Sequence, residues 1–79
     1  MEIKTKMRLS RIDKNCKNDV VYYIGHFLDK DDNKYSFFID EKFYNELLQK
    51  KQYDFVDLTL LLYKKLVDNK TYYKLSIVL

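Results

Sequence analysis

The sequence predicts one mainly β domain over residues 1–79, a small closed barrel of five strands with one helix between the third and fourth strands. Three observations predict this class. Apolar and polar residues alternate at the period of a strand in several segments, turn-forming residues separate those segments, and one central segment has the i, i+4 apolar spacing of a helix. The apolar fraction of 47% is ample for a folded core.

The first two strands are predicted over residues 3–10 and 20–28, with a polar loop at residues 13–19. In the first strand the side chains alternate between the core and a basic outer row. The inward set is Ile3, Thr5, Met7 and Leu9, and the outward set is Lys4, Lys6 and Arg8. Gly25 lies in the middle of the second strand, where a glycine marks a barrel bend, a bulge or a close approach by another group. A bend is the preferred interpretation.

A polar cluster at residues 29–34 predicts a turn, so the second strand and a third strand at residues 35–39 form a hairpin. Asp40 can cap a helix over residues 41–51, whose first turn is acidic and whose last turn contains lysines, as the helix dipole favours. Its apolar stripe, which would close one end of the barrel, is Phe43, Tyr44, Leu47 and Leu48. The fourth and fifth strands follow at residues 55–63 and 71–79, and residues 64–70 between them contain a turn at Asp68-Asn69.

Three strands, a helix and two strands in this order resemble the OB-fold family, specifically its small phage- and plasmid-type single-stranded-DNA-binding members. The residues that carry the resemblance are the hairpin at 29–34, the helix, and the segment Tyr53-Asp54-Phe55-Val56-Asp57-Leu58. That segment looks like the Gly-Asp-x-Val-x-Val entry to strand four, with Tyr53 where Gly is usual. The resemblance implies a Greek-key barrel whose binding face meets the loops after strands one and four. The family also includes protein-binding modules, so function does not follow from the fold.

Charge and cysteine content restrict the environment and the partners. The net charge is +3 with an isoelectric point near 8.9, and the first seventeen residues contain six cationic and two acidic side chains, a local excess of four. A basic segment permits a polyanionic partner. Cys16 is the only cysteine, which suits a reducing compartment. With no leader and no apolar run of membrane-spanning length, we expect a cytoplasmic protein without membrane contact.

The sequence argues against catalysis, and we expect no enzyme activity, no metal and no cofactor. Asp31 and Asp32 lack the glycine and distal glutamate of an ion-binding loop, so they predict a solvated turn. One histidine and one cysteine are too few for a structural zinc site. Cys16 and His26 would be a nucleophile and base only if they met, and no third orienting group is evident.

The predicted binding site is a cationic and aromatic outer face. If Tyr22 and Ile24 point inward, the face and the loops beside it present two sets of residues. The face contains Lys4, Lys6, Arg8, Tyr23, Phe27 and Phe38, and the loops add Lys14, Lys17, Lys64, Lys65 and Lys70. A slip of one residue in the second strand would instead expose Tyr22 with His26. Most of the thirteen aromatic side chains must fill the core, so each ring is as much a core candidate as a platform for bases.

Two functions follow from this face. The first is sequence-tolerant binding of single-stranded DNA, or of RNA, as an accessory to replication or transfer of a phage or mobile element. The second is a small protein-interaction module, such as a phage inhibitor or a subunit of a larger assembly, that uses Phe27, Phe38 and Leu61 as an apolar patch. A homodimer joined at the edge of the fifth strand is compatible with both.

Overall fold

The computed structural model describes residues 1–79 as five strands and one helix. They are β1 (Glu2–Lys17), β2 (Val20–Leu28), β3 (Lys34–Ile39), α1 (Glu41–Leu47), β4 (Phe55–Val67) and β5 (Lys70–Ile77). The strands form a single antiparallel sheet in the order β3-β2-β1-β4-β5. The mainly β class, the number of strands and the position of the helix are confirmed.

Two hairpins, β1–β2 and β4–β5, are longer than predicted and their turns are tighter. In each hairpin the strands stay paired up to a two-residue turn. The turn residues have positive φ, with 52° and 64° at Asn18 and Asp19 and 51° and 62° at Asp68 and Asn69. Asn and Asp tolerate this left-handed backbone, which matches the twist of the flanking strands. The loop predicted at residues 13–19 is therefore wrong, because strand pairing extends to Lys17. The turn predicted at Asp68-Asn69 is confirmed, although strand pairing occupies the rest of residues 64–70.

A β-bulge at Ser10 reverses the alternation of β1. Leu9 lies opposite Phe27, but Arg11 lies opposite His26, so β1 contains one extra residue at this point. Before the bulge the even-numbered residues of β1 face outward, and after it the odd-numbered residues do. A bulge turns side chains in this way and increases the local twist, so the outer face of β1 continues with a new set of residues.

The core lies inside the curved sheet and under the helix. Its buried members are Met7, Leu9, Phe27, Phe37, Ile39, Leu47, Val56, Leu58 and Leu60. The sequence predicts inward sets for three strands, and these supply most of the core: Met7 and Leu9 on β1, Phe37 and Ile39 on β3, and Val56, Leu58 and Leu60 on β4. The phases of those three strands are confirmed.

The phase predicted for β2 is wrong. Phe27 is fully buried, and Tyr23 and Gly25 lie on the same inner face. A Cβ atom on Gly25 would lie 2.9 Å from Cε2 of Phe27, so the ring packs directly over the glycine backbone. Gly25 is thus a site where another group approaches the backbone closely, one of the alternatives to the bend that the sequence analysis preferred. Tyr22 and His26 face outward, as in the alternative phase.

The helix is shorter than predicted. The carboxylate of Asp40 accepts a hydrogen bond from the Phe43 N–H at 2.8 Å, which caps the helix as expected. Helix α1 ends at Leu47, so the lysines assigned to its last turn lie beyond it. Leu47 is 1% exposed and closes one end of the core, whereas Leu48 is 56% exposed and does not belong to the apolar stripe.

The turn before β4 places a tyrosine in a conformation that favours glycine. Tyr53 has a φ of 70°. Its N–H donates to the Leu9 carbonyl at 2.7 Å, and the Leu9 N–H donates to the Asp54 carbonyl at 2.9 Å. These two bonds attach the turn to β1, and they hold Tyr53 in the left-handed region despite its side chain.

The sheet is curved but not closed. No backbone hydrogen bond joins β3 to β5, although Cα atoms of the two edge strands approach within 8 Å of each other. The closed barrel that the sequence predicts is therefore not present as a continuous ladder. Helix α1 has only seven residues, and the structure contains no helix with the length and apolar character needed to cross a membrane.

Candidate nucleic-acid interface

An aromatic pair lies on the outer face of β2 and β3, with Phe38 exposed and Tyr22 half-buried. The ring centroids of Tyr22 and Phe38 are 6.0 Å apart, and the planes meet edge to face at 63°. Phe38 is 71% exposed, so its predicted outward orientation is confirmed. Tyr22 occupies the neighbouring position that the sequence assigned to Tyr23. Phe38 presents flat ring surface to solvent, which is the feature that single-strand binding needs.

Register explains why these two rings meet. Phe38 lies opposite Ile24 across the β2–β3 ladder, and Tyr22 is the next outward residue of β2. The surrounding depression also contains Val20 and Lys17. Lys17, at the end of β1, therefore places a positive charge at the border of an apolar and aromatic surface, as the sequence predicted for the loop after strand one.

Three predicted site residues lie on the inner side of the sheet instead. Phe27 belongs to the core. Tyr23 packs against Tyr44 of the helix with centroids 4.7 Å apart, and the Lys14 ammonium lies 6.0 Å from the Tyr23 centroid. The prediction that Tyr23 and Phe27 are exposed on the binding face is wrong, because the inward phase of β2 takes both rings, with Lys14 beside one of them.

The basic row of β1 points outward, but its members are not equivalent. Lys4 and Lys6 are exposed, and Lys6 forms an exposed ion pair with an aspartate of β4 at 3.7 Å. Arg8 is only 28% exposed and pairs with Asp32. It also donates to the Asp29 carbonyl at 2.7 Å. Arg8 therefore attaches the β2–β3 loop to β1, and Lys4 and Lys6 are the members of the row that face solvent.

The β2–β3 loop is a hydrogen-bonded turn built on one carboxylate. Asp29 accepts from the side-chain amide of Asn33 at 3.0 Å and from the N–H groups of Asn33 at 2.9 Å and Asp31 at 2.8 Å. These bonds, led by the one from the Asn33 side chain, lower the pKa of Asp29 below its ordinary value of 3.8. No three His, Cys, Asp or Glu side chains converge as metal ligands anywhere in the chain.

The β4–β5 hairpin extends beyond the core and pairs lysines of β4 with tyrosines of β5. Lys64 lies opposite Tyr73, and Lys65 lies opposite Tyr72. Tyr73 is 70% exposed and Tyr72 is 53% exposed. Lys70 begins β5 and is also exposed. The predicted lysines therefore occupy a hairpin arm, where each has an aromatic or apolar neighbour.

Phe38 also borders the cleft between the two free edges of the sheet. Together with Ser36 it forms the β3 wall, and Lys74 and Ser76 belong to the β5 wall. The aromatic pair thus lies between two surfaces, one leading to the β1–β2 turn at Lys17 and the other leading to β5. An extended ligand lying on Phe38 can contact both.

A polar cluster lies next to the aromatic pair, and sequence reasoning missed it. His26 bonds through Nδ1 to the Ser36 hydroxyl and through Nε2 to the Asp13 carboxylate, both at 2.7 Å. Arg11 pairs with Asp13 at 3.4 Å. Only the bulge brings Arg11 and Asp13 to this face, and no pattern in the sequence announces it. Cys16 lies on the other face of the β1–β2 hairpin, so it does not meet His26.

No family model, curated protein or solved structure matches this chain. The functional interpretation therefore depends on the arrangement of rings and charges on the outer face.

Proposed function

We propose that this chain is a sequence-tolerant single-stranded nucleic-acid-binding protein that holds DNA, or RNA, across the outer face of β2 and β3. The observation that carries the proposal is the outward-facing pair of exposed Phe38 and half-buried Tyr22, which has a lysine on each side. Each base stacked on an aromatic ring contributes about 1–3 kcal/mol, and every base has a face to stack. Lys17 and Lys74 line the depressions on the two sides of Phe38, which supports a role for both in neutralising phosphates.

We also propose that the domain is OB-fold-like, with a Greek-key arrangement and a barrel that is open between β3 and β5. The strand order supports this, since a Greek key places its four strands in the spatial order 4-1-2-3. The near approach of the two edges supports it as well. In such barrels the single-stranded nucleic acid binds on the face of β-strands two and three, and the loops after β-strands one and four flank this face. Here those loops are the two hairpin arms.

This activity suits an accessory to the replication or transfer of a phage or mobile element. The proposed compartment is the cytoplasm, where the exposed thiol of Cys16 stays reduced.

Fluorescence anisotropy with a labelled oligo-dT tests the proposal. Binding should weaken steeply between about 50 and 200 mM salt, with a log–log slope near −0.7 for each phosphate neutralised. Phe38→Ala should weaken binding by about 1–3 kcal/mol, or about 5- to 150-fold in Kd. The matched control is Phe55→Ala, which removes a ring that is 63% exposed and lies on β4, with β1 between it and the two strands that hold the pair. Absence of binding at low salt, or equal losses in the two variants, would overturn the proposal.

The second candidate function is protein binding, and the β4–β5 arm favours it. Leu66 is 69% exposed and Val67 39% exposed near the tip, and clustered apolar side chains mark interaction surfaces. The patch predicted from Phe27, Phe38 and Leu61 does not form, because Phe27 is buried and Leu61 lies on β4. A Leu66→Lys variant separates the two functions, since it should abolish a protein contact at the arm and leave oligo-dT binding intact or stronger.

A further inference from the structure

A small cationic cleft lies on the outer face beside the proposed binding surface. Its volume is about 200 Å³, and its polar lining comes from three strands. The lining consists of Ser10, Arg11, His26, Phe27, Lys34 and Ser36. We propose that this cleft binds one phosphodiester group of the bound strand. The inference rests on the proposed function and assigns it a specific phosphate contact.

The bulge in β1 builds the cleft. If Ser10 took the place opposite His26, as it would in a regular ladder, Arg11 would lie opposite Gly25 and continue the inward series of β1. With Ser10 as an extra residue, Arg11 faces outward directly opposite His26. Bulges commonly re-aim a side chain next to a functional site. Lys34 reaches the same cleft from the start of β3, so two cations from different strands converge on one small volume.

The hydrogen bonds of the cleft show which groups are free to bind an anion. A carboxylate only accepts hydrogen bonds, so Nε2 of His26 carries a proton toward Asp13, and in the neutral ring Nδ1 accepts from the Ser36 hydroxyl. His26 and Ser36 therefore satisfy each other. Lys34 forms no ion pair, and the Arg11 side chain is 69% exposed with only one partner, at 3.4 Å. These two cations remain for a ligand, and the Ser10 hydroxyl can donate beside them.

Phosphate is the anion that this arrangement favours. Arginine presents a planar set of donors that matches phosphate oxygens, and lysine adds a point charge. The cleft is also in register with the aromatic pair, because Ser36 and Phe38 are successive outward residues of β3. Their separation along the strand is about 7 Å. A nucleotide whose base stacks on Phe38 can therefore place a neighbouring phosphate in the cleft.

The test is oligo-dT titration of a double variant, Arg11→Gln with Lys34→Gln, over a range of salt concentrations. We expect about tenfold weaker binding at low salt and a log–log salt slope that is smaller in magnitude by about 0.7, the value for one phosphate contact. The matched control, Lys50→Gln with Lys51→Gln, removes the same charge beyond the helix and should leave that slope unchanged. Asp13→Asn should act in the opposite direction and tighten binding about threefold, because it removes the carboxylate that pairs with Arg11.

The outcomes separate the inference from the proposed function. If the wild-type protein binds oligo-dT and the cleft variant binds with the same Kd and slope, the cleft is not a phosphate contact and the proposed function stands. If the wild-type protein does not bind oligo-dT, both are overturned. A polyglutamate peptide and sodium phosphate serve as further probes. Binding of polyglutamate as tightly as oligo-dT would assign the cleft to an acidic protein and overturn the inference, whereas competition by phosphate at millimolar concentration would support it.

Discussion

Whether Gly25→Ala stabilises or destabilises the protein is decided by how tightly Phe27 packs over the glycine. In a strand interior, alanine is favoured over glycine by about 0.5–1 kcal/mol, because glycine loses more backbone freedom on folding. Here the new Cβ would lie 2.9 Å from Cε2 and 3.0 Å from Cζ of Phe27. That ring is 0% exposed, so it cannot move aside into solvent. Overpacking of a core costs about 1–3 kcal/mol, and we expect a net loss of about 0.5–2 kcal/mol in unfolding free energy.

Urea unfolding followed by circular dichroism measures this loss. With a slope of about 1 kcal/mol per molar urea for so small a domain, the midpoint should fall by about 0.5–2 M. Phe27→Leu removes the ring atoms that the Cβ would meet. In the double variant Gly25→Ala/Phe27→Leu, the alanine should therefore cost less than it does alone, which a double-mutant cycle quantifies. A stabilising Gly25→Ala, or strictly additive losses, would refute the close approach of Phe27 to Gly25.

Three further substitutions test the turns and the loop. Tyr53→Gly should raise the unfolding free energy by about 1 kcal/mol, because glycine adopts the left-handed backbone of this position without steric cost. The control Gln52→Gly changes a residue without positive φ and should lower the unfolding free energy. Equal effects of the two variants would contradict the account. Arg8→Gln should lower the unfolding free energy by about 1 kcal/mol, because it removes the hydrogen bonds that attach the β2–β3 loop to β1. The salt slope of oligo-dT binding should stay unchanged. A slope of smaller magnitude would show that Arg8 contacts a phosphate. Because the pKa of Asp29 is lowered in the folded protein, its contribution to stability is present above pH 3.8 and is lost as the pH falls through the pKa of the folded state. In urea titrations at acid pH, Asp29→Asn should reduce this loss of stability. Identical pH profiles for the variant and the wild-type protein would exclude a stabilising role for the Asp29 carboxylate.

Alternation was sufficient to predict three of the strand phases. In β1, apolar residues alternate with polar or charged ones up to the bulge, and in β3 Ser36 lies between Tyr35 and Phe37, so burial on one side follows directly. In β4, Val56 and Leu58 alternate with Asp57 and Thr59, which gives the same result. These patterns predicted the basic outer row and the outward position of Phe38.

Two features of the site could not be predicted by alternation. Strand β2 has large apolar side chains on both faces, so its phase depended on weaker signals. The inward phase chosen for Tyr22 and Ile24 would also have buried His26, and that imidazole was the one signal favouring the phase observed. The bulge at Ser10 is set by tertiary pairing with β2. For this reason no sequence pattern predicts that Arg11 lies on the outer face.

Amide chemical-shift mapping with unlabelled oligo-dT tests the central claim most directly. If the outer face of β2 and β3 binds a single strand, the largest shifts should occur around Tyr22, Ser36 and Phe38, and smaller ones at Lys17 and along β5. Shifts concentrated around α1, or no shifts at low salt, would contradict the account.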